Sequence, residues 1–142
     1  MILETEPWLE AAKEGRKDAA RMLLAEGREV DACDVEGWTA LMYAALGGHY
    51  ETASWLIKKG ANVNARSFGG FAGTTPLMIA ASCGHEEIVR LLLAHGAEVD
   101  FEGPLGGTAV AFATFQGHCA IVRLLKSYGA DLSLGNIYGR FC

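Results

Sequence analysis

An all-α solenoid, built from stacked helix-turn-helix units with β-hairpin-like finger loops between them, is the fold class this sequence predicts. Three observations carry the prediction. Glycine recurs at Gly27, Gly60, Gly96 and Gly129 with spacings of 33, 36 and 33 residues, and with the same spacings at Gly15, Gly48, Gly84 and Gly117. Apolar runs keep step with them, at Met22-Leu23-Leu24, Trp55-Leu56-Ile57, Leu91-Leu92-Leu93 and Leu124-Leu125. Between these glycines the apolar residues fall at i, i+3 and i+4, one face of a helix. Helices this short are marginal in water when isolated, so each unit needs a neighbour, and the chain supplies one.

The clearest unit runs from Thr75 to Asp100. Thr75 is a good N-cap and Pro76 follows at the first helical position, where a missing N–H costs nothing. Leu77, Ala80 and Ala81 share one face, and Gly84 ends this first helix. His85 opens a second, with Ile88, Val89, Leu91, Leu92 and Leu93 apolar and Glu86 and Glu87 in the first turn, where the helix dipole favours negative charge. Gly96 stands where a left-handed residue closes a helix, and Ala97-Glu98-Val99-Asp100 leads away as an extended finger.

The other units follow in order. In residues 1–32, Pro7, Trp8, Ala11 and Ala12 occupy the places of Pro76, Leu77, Ala80 and Ala81, and Lys17 to Glu26 makes the second helix. Glu4, Glu6, Glu10, Lys13 and Glu14 give the first helix the polarity of an N-terminal cap, which faces water on one side. In residues 33–65, Asp34-Val35-Glu36-Gly37 is a finger turn, Thr39-Ala40-Leu41 opens the first helix, and Leu41, Ala44 and Ala45 point into the stack. Residues 66–99 contain three extra positions within Ser67-Phe68-Gly69-Gly70-Phe71-Ala72-Gly73. Phe68 and Phe71 either fold back over the core of their unit or stand out toward a partner. Residues 100–132 begin with the finger Phe101-Glu102-Gly103-Pro104-Leu105-Gly106-Gly107 and continue with helices at Thr108 to Gln116 and Cys119 to Tyr128. Lys126 replaces the apolar residue of Leu24, Ile57 and Leu93, as suits a last unit facing water. In residues 133–142, Asn136-Ile137-Tyr138-Gly139-Arg140 repeats the turn at Asp34. The whole reads as one domain of 142 residues, with four units and the opening of a fifth. Two readings of that tail stand: it completes the cap, or it leads into a longer protein.

Thr-Pro-Leu at Thr75, the Ala-Ala pairs, Gly-His at Gly48, Gly84 and Gly117, and Gly-Ala at Gly60, Gly96 and Gly129 recur together at a period of about 33 residues. The chain thereby resembles the ankyrin repeat family over nearly its whole length. The resemblance implies a protein–protein interaction module that grips its partner with a concave groove and the finger tips. It also implies that His49, His85 and His118, which share one position per unit, are structural.

Composition removes several alternatives. The chain carries a formal charge of −5, and its densest basic group, Lys13, Arg16, Lys17 and Arg21, is interleaved with Glu14 and Asp18. Nucleic acid and anionic membrane are therefore not expected partners, because phosphate binding needs a basic stripe. The N-terminal MILETEPWLEAAKEG has neither the cationic start nor the apolar run of a signal peptide, and no stretch approaches the roughly 20 apolar residues of a membrane span. Cys33, Cys83, Cys119 and Cys142 show no paired spacing and no secreted disulfide framework. A cytoplasmic location is the expectation, as a monomer or within a heteromeric complex.

Chemistry finds little support. Histidines on adjacent units are separated by about a helix-packing distance, roughly 8–10 Å, too far for two nitrogens to meet one metal at near 2 Å. Cys83 and Cys119 lie beside glycine-histidine pairs but lack an orienting carboxylate, and read as small half-buried residues. No phosphate-binding, hydrolase or metalloprotease motif occurs. No cofactor, no metal and no catalytic residue is expected.

What remains is a binding surface. If Leu41, Ala44 and Ala45 face inward, then Tyr43 and Leu46 lie on the other side of their helix, as do Ile79, Ser82 and Cys83 in the third unit and Phe112, Phe115 and Gln116 in the fourth. This side should run from charged at Glu10, Lys13 and Glu14 to apolar further along. Val35, Glu36, Trp38, Phe68, Phe71, Leu105 and Tyr138 add to it from the fingers. Aromatic anchors on such patches mark interaction sites. The expected partner-binding residues are Val35, Glu36, Trp38, Tyr43, Leu46, Phe68, Phe71, Ser82, Leu105, Phe112, Phe115 and Gln116. The expected partner is another protein, which the module inhibits, scaffolds or neutralises. The alternatives are a structural piece of a larger protein, or an enzyme or small-ligand binder using Cys83, His85 and Cys119.

Overall fold

Four helix pairs fill residues 7–132, the part of the chain that the computed structural model describes. They are α1 (Pro7–Lys13) with α2 (Lys17–Ala25), α3 (Ala40–Gly47) with α4 (Tyr50–Lys58), α5 (Pro76–Cys83) with α6 (Glu86–Ala94), and α7 (Ala109–Phe115) with α8 (Cys119–Ser127). The all-α class holds among the described residues. The hairpin character of the fingers is slight: a single antiparallel bridge joins Cys33 to Thr39 in the first of them. The expectations for Glu4, Glu6, Tyr138, the 136–140 turn and Cys142 fall outside the described residues.

Threonine starts the first helix of the last three pairs. Thr39, Thr75 and Thr108 accept the backbone N–H of Met42, Met78 and Ala111 on their Oγ1 at 3.3, 3.2 and 3.3 Å. Each such cap contributes about 1 kcal/mol. The second helices start differently. His49, His85 and His118 occupy the N-cap position without capping their own helix. Each imidazole instead reaches back one pair: Nε2 of His49 meets the Lys13 carbonyl at 3.0 Å, that of His85 the Leu46 carbonyl at 3.2 Å, and that of His118 the Ser82 carbonyl at 3.1 Å. A carbonyl only accepts, so Nε2 carries the proton in all three. Gly84 shows why the residue before each histidine is glycine. It closes α5 at φ +81°, and a Cβ there would lie 2.7 Å from the His118 ring; both the left-handed backbone and the close approach exclude a side chain.

The helices form two layers. α1, α3, α5 and α7 pack side by side in an inner layer, and α2, α4, α6 and α8 form an outer one, each packed on its own partner. Ala11, Ala12, Ala44, Ala45, Ala80, Ala81 and Ala113 are fully buried in the inner layer, and their small size brings its helices close. Leu56, Ile88, Leu92 and Leu125 fill the space beneath the outer layer, where neighbouring helices touch less. Interhelical distance follows side-chain size, so an array packed more tightly inside than outside curves toward the inner layer. The free side of α3, α5 and α7 is thereby the concave one.

Candidate functional site: an apolar groove under the fingers

The helices that floor the concave face carry no charge. α3 (ALMYAALG), α5 (PLMIAASC) and α7 (AVAFATF) contain no Asp, Glu, Lys or Arg, whereas α1 has Glu10 and Lys13. The expected passage from charged to apolar along this face is what the structure has. A groove of about 350 Å³ opens here, lined by Trp38, Leu46, Phe71, Thr74, Met78, Ile79, Ser82, Cys83, Pro104, Leu105 and Phe112. That volume lies at the small end of the about 300–1,000 Å³ of ligand clefts.

The fingers that wall the groove are tied to one another through hydrogen bonds the chain makes over long range. Asp34 Oδ1 accepts the N–H of Glu36 at 2.9 Å and of Trp38 at 3.0 Å, which shapes the first finger. Asp34 Oδ2 accepts the Tyr43 hydroxyl, and the Tyr43 ring lies 5.2 Å from that of Trp38. Burial first, and then the hydrogen bond and charge of Asp34, raise the Tyr43 pKa well above its ordinary value, with the charges of Glu10 and Glu36 adding to the rise.

The three-residue insertion folds as a closed loop around Ser67. This buried side chain donates to the Phe71 carbonyl at 2.8 Å and accepts the Thr74 N–H at 3.1 Å, while the Ser67 backbone pairs with Thr74 and Gly73. The loop leans on the preceding finger. The N–H groups of Phe68 and Gly69 donate to the Glu36 carbonyl at 3.0 Å, and that of Gly70 donates to Glu36 Oε1 at 3.0 Å. On the other side Arg66 donates to the Glu102 carbonyl at 2.8 Å and stacks 4.5 Å above the Phe101 ring. The fingers therefore make a continuous wall.

The structure brings six of the twelve expected residues to the groove: Trp38, Leu46, Phe71, Ser82, Leu105 and Phe112. The other six stand apart from it. Val35 projects from the finger turn into solvent. Glu36 is the clasp for the insertion, and Tyr43 the support behind Trp38. Phe68, 65% exposed, leans on Gly37, where an added Cβ would lie 2.6 Å from its ring. Phe115 and Gln116 lie exposed at the end of α7. Neither phenylalanine of the insertion folds back over the core, since Phe71 is 74% exposed. Thr74, Met78 and Pro104 line the groove without having been expected. Met78 shares a helical face with Ser82 at i and i+4, the signal that could have found it. Leu105 is the strained member: it holds φ +59° in the tight turn Pro104–Gly106, with its side chain wholly in solvent. A branched residue in the left-handed region costs of order 1–3 kcal/mol.

One expectation about cysteine needs correction. Cys83 is exposed rather than half-buried, because it lies at the open end of α5 where the groove leaves it uncovered. Among the described residues Cys33 and Cys83 are free and Cys119 is disulfide-bonded. Partial desolvation beside the apolar groove still pushes the Cys83 thiol above its ordinary range, which lowers its thiolate fraction. His85 beside it is engaged with the Leu46 carbonyl. Among the described residues no three His, Cys, Asp or Glu side chains are placed to hold a metal ion, and no helix is long and apolar enough to cross a membrane.

Comparison with known proteins agrees with this architecture. The family model described as ankyrin repeats (3 copies) matches residues 4–67 and 68–136. Ankyrin repeat domain-containing protein 29 of Danio rerio is 46% identical over 55 residues, 38% of this chain and 18% of that protein. A Treponema pallidum (strain Nichols) protein described as ankyrin repeat-containing is 36% identical over 97 residues, 68% of this chain and 32% of its own length. Ankyrin repeat domain-containing protein 17 of Mus musculus is 42% identical over 63 residues, 43% of this chain and 2% of that protein. The chain thus spans at most about a third of these relatives. With eight paired helices among the described residues and a family model covering most of its length, the chain belongs to the ankyrin repeat family, whose members generally serve as protein–protein interaction modules.

Proposed function

We propose that this chain is a non-catalytic binding module that holds one partner protein in stoichiometric complex through the groove between the finger wall and α3, α5 and α7. It acts as a single domain, in the cytoplasm, as a monomer until its partner joins it; inhibition, scaffolding and neutralisation are all served by such a grip. One observation carries the reading: an uncharged floor stands open beside exposed Phe71, Leu105 and Leu46, on the concave side of an array otherwise faced with charge. Exposed apolar patches of this kind mark interaction sites, and aromatic or aliphatic side chains in such pockets are the usual anchors.

The enzyme reading has less behind it. A nucleophilic cysteine needs a lowered pKa and a positioned base, and Cys83 has its pKa raised with His85 turned to a carbonyl.

The test is affinity capture from the native host with the full chain and with a Phe71→Ser, Leu105→Gly variant, read by quantitative mass spectrometry. Both side chains are exposed, so the variant should unfold at the same temperature as the parent or higher. A partner captured by the parent should be depleted about ten-fold or more by the variant, the scale of losing two hot-spot contacts. Equal capture by both would remove the groove from the function.

A further inference from the structure

The groove floor is neutral, but its walls are not. The finger segments 28–39, 61–75 and 97–108 hold seven carboxylates, Glu29, Asp31, Asp34, Glu36, Glu98, Asp100 and Glu102, against two bases, Arg28 and Arg66. Three of the seven stand next to groove residues. Asp34 holds the Tyr43 hydroxyl behind Trp38, Glu36 caps the N–H of Gly70 beside Phe71, and Glu102 lies two residues before Pro104. Among the described residues the ion pairs seen are Arg16 with Glu14, Lys17 with Glu51 and Arg90 with Glu86, so no lysine or arginine pairs with the side chains of Asp34, Glu36 or Glu102. Arg66, on the same finger wall, is held by a carbonyl and the Phe101 ring.

The opposite side leans weakly the other way. The outer-layer helices carry Lys17, Arg21, Lys58, Arg90, Arg123 and Lys126 against Asp18, Glu51, Glu86 and Glu87, with Lys17 and Arg90 paired to Glu51 and Glu86. The molecule is therefore polarised across its short axis, with an apolar slot set in its negative side.

We infer that the occupant of the groove is a peptide segment of the partner that presents one or more large apolar side chains flanked by lysine or arginine. This rests on the groove reading proposed above and adds to it the chemistry of the partner. Apolar side chains enter between Phe71, Ile79 and Leu105. The flanking cations meet Glu36 and Glu102 on the rim, where complementary charge accelerates encounter and fixes register more than it adds affinity. An acidic or neutral segment would meet uncompensated carboxylates on both walls.

The test selects short random peptides displayed on phage against the full chain, then measures the enriched peptides by fluorescence polarisation. Lysine or arginine should accompany leucine, isoleucine, phenylalanine or tryptophan in the enriched set. Affinity should fall about ten-fold between about 50 mM and about 500 mM salt as the rim charges are screened. A Glu36→Gln, Glu102→Gln variant, which keeps an oxygen acceptor for Gly70, should bind several-fold more weakly at low salt and lose most of that salt dependence. The Phe71→Ser, Leu105→Gly variant should lose binding at both salt concentrations. Enriched peptides that are neutral or acidic yet need Phe71 and Leu105 would overturn the charge inference and leave the groove standing. Basic peptides without an apolar residue would overturn it as well. Peptides indifferent to Phe71 and Leu105, or no enrichment at all, would remove the groove reading and this inference together.

Discussion

The inner and outer helix layers solve one packing problem in opposite ways. α5 buries six consecutive residues, Pro76 to Ala81, while α6 buries Ile88, Val89 and Leu91 to Leu93 and turns Glu87 and Arg90 to water. A helix enclosed by neighbours on most sides is apolar all round; one with a free face is amphipathic. α3 and α5 have neighbours in both directions along the array and a partner beneath, so charge is excluded from nearly their whole circumference. What they leave uncovered on the concave side is consequently apolar too. The difference teaches that the proposed binding surface is a by-product of how the inner layer must pack, with the fingers walling it.

Substitutions sharpen the contrast. The largest loss is expected beneath the outer layer: Leu92, wholly buried, replaced by alanine should lower unfolding free energy by about 2–5 kcal/mol. Ile79, on the groove floor, should cost about 2 kcal/mol or less on the same change, since the space it vacates opens to solvent instead of becoming a sealed cavity. Urea unfolding of both variants reads the difference, and equal losses would break the distinction between the layers. Thr75→Ala should cost about 1 kcal/mol through the lost cap on α5, with Thr75→Ser restoring most of it.

A smaller effect appears only in alkali. The folded Tyr43 hydroxyl titrates above its ordinary pKa of 10.0, so the unfolded chain gives up that proton first. The contribution is fully present below that pH and is lost as pH rises beyond it. A stability-against-pH series for Tyr43→Phe should decline less steeply above that point than the parent does. The smallest effect belongs to the solvent face of the outer layer: Arg90→Ala removes the 2.9 Å pair with Glu86 and should change stability by no more than about 0.5 kcal/mol, an amount that salt erases.

The helix pairs were legible because their signals are local. Thr75-Pro76 starts a helix and Gly84 ends one within a few residues, and each cap geometry appears as the spacing implied. The groove was legible only in part. Leu46, Ser82 and Phe112 follow from helical phase, once the buried face of each helix is assigned. The segments of Glu36 and Phe68 also bind each other across more than thirty residues of chain, and no local pattern announces such a clasp. The closure of the insertion by Ser67 and the left-handed turn at Leu105 likewise depend on which groups the fold brings within reach. The disulfide at Cys119 escaped for the same reason, since cysteine spacing along a chain says little about distance in space.

The imidazole that reaches back from each pair gives the array a polarity like that of interlocking tiles. Every internal unit carries a donor tongue on one edge and a carbonyl slot on the other, so the coupling between neighbours is identical at each joint and does not depend on how many joints there are. An additional unit spliced in at a joint would find both its connections already made. The array can therefore be lengthened, and its slot extended with it, without redesign of the seams.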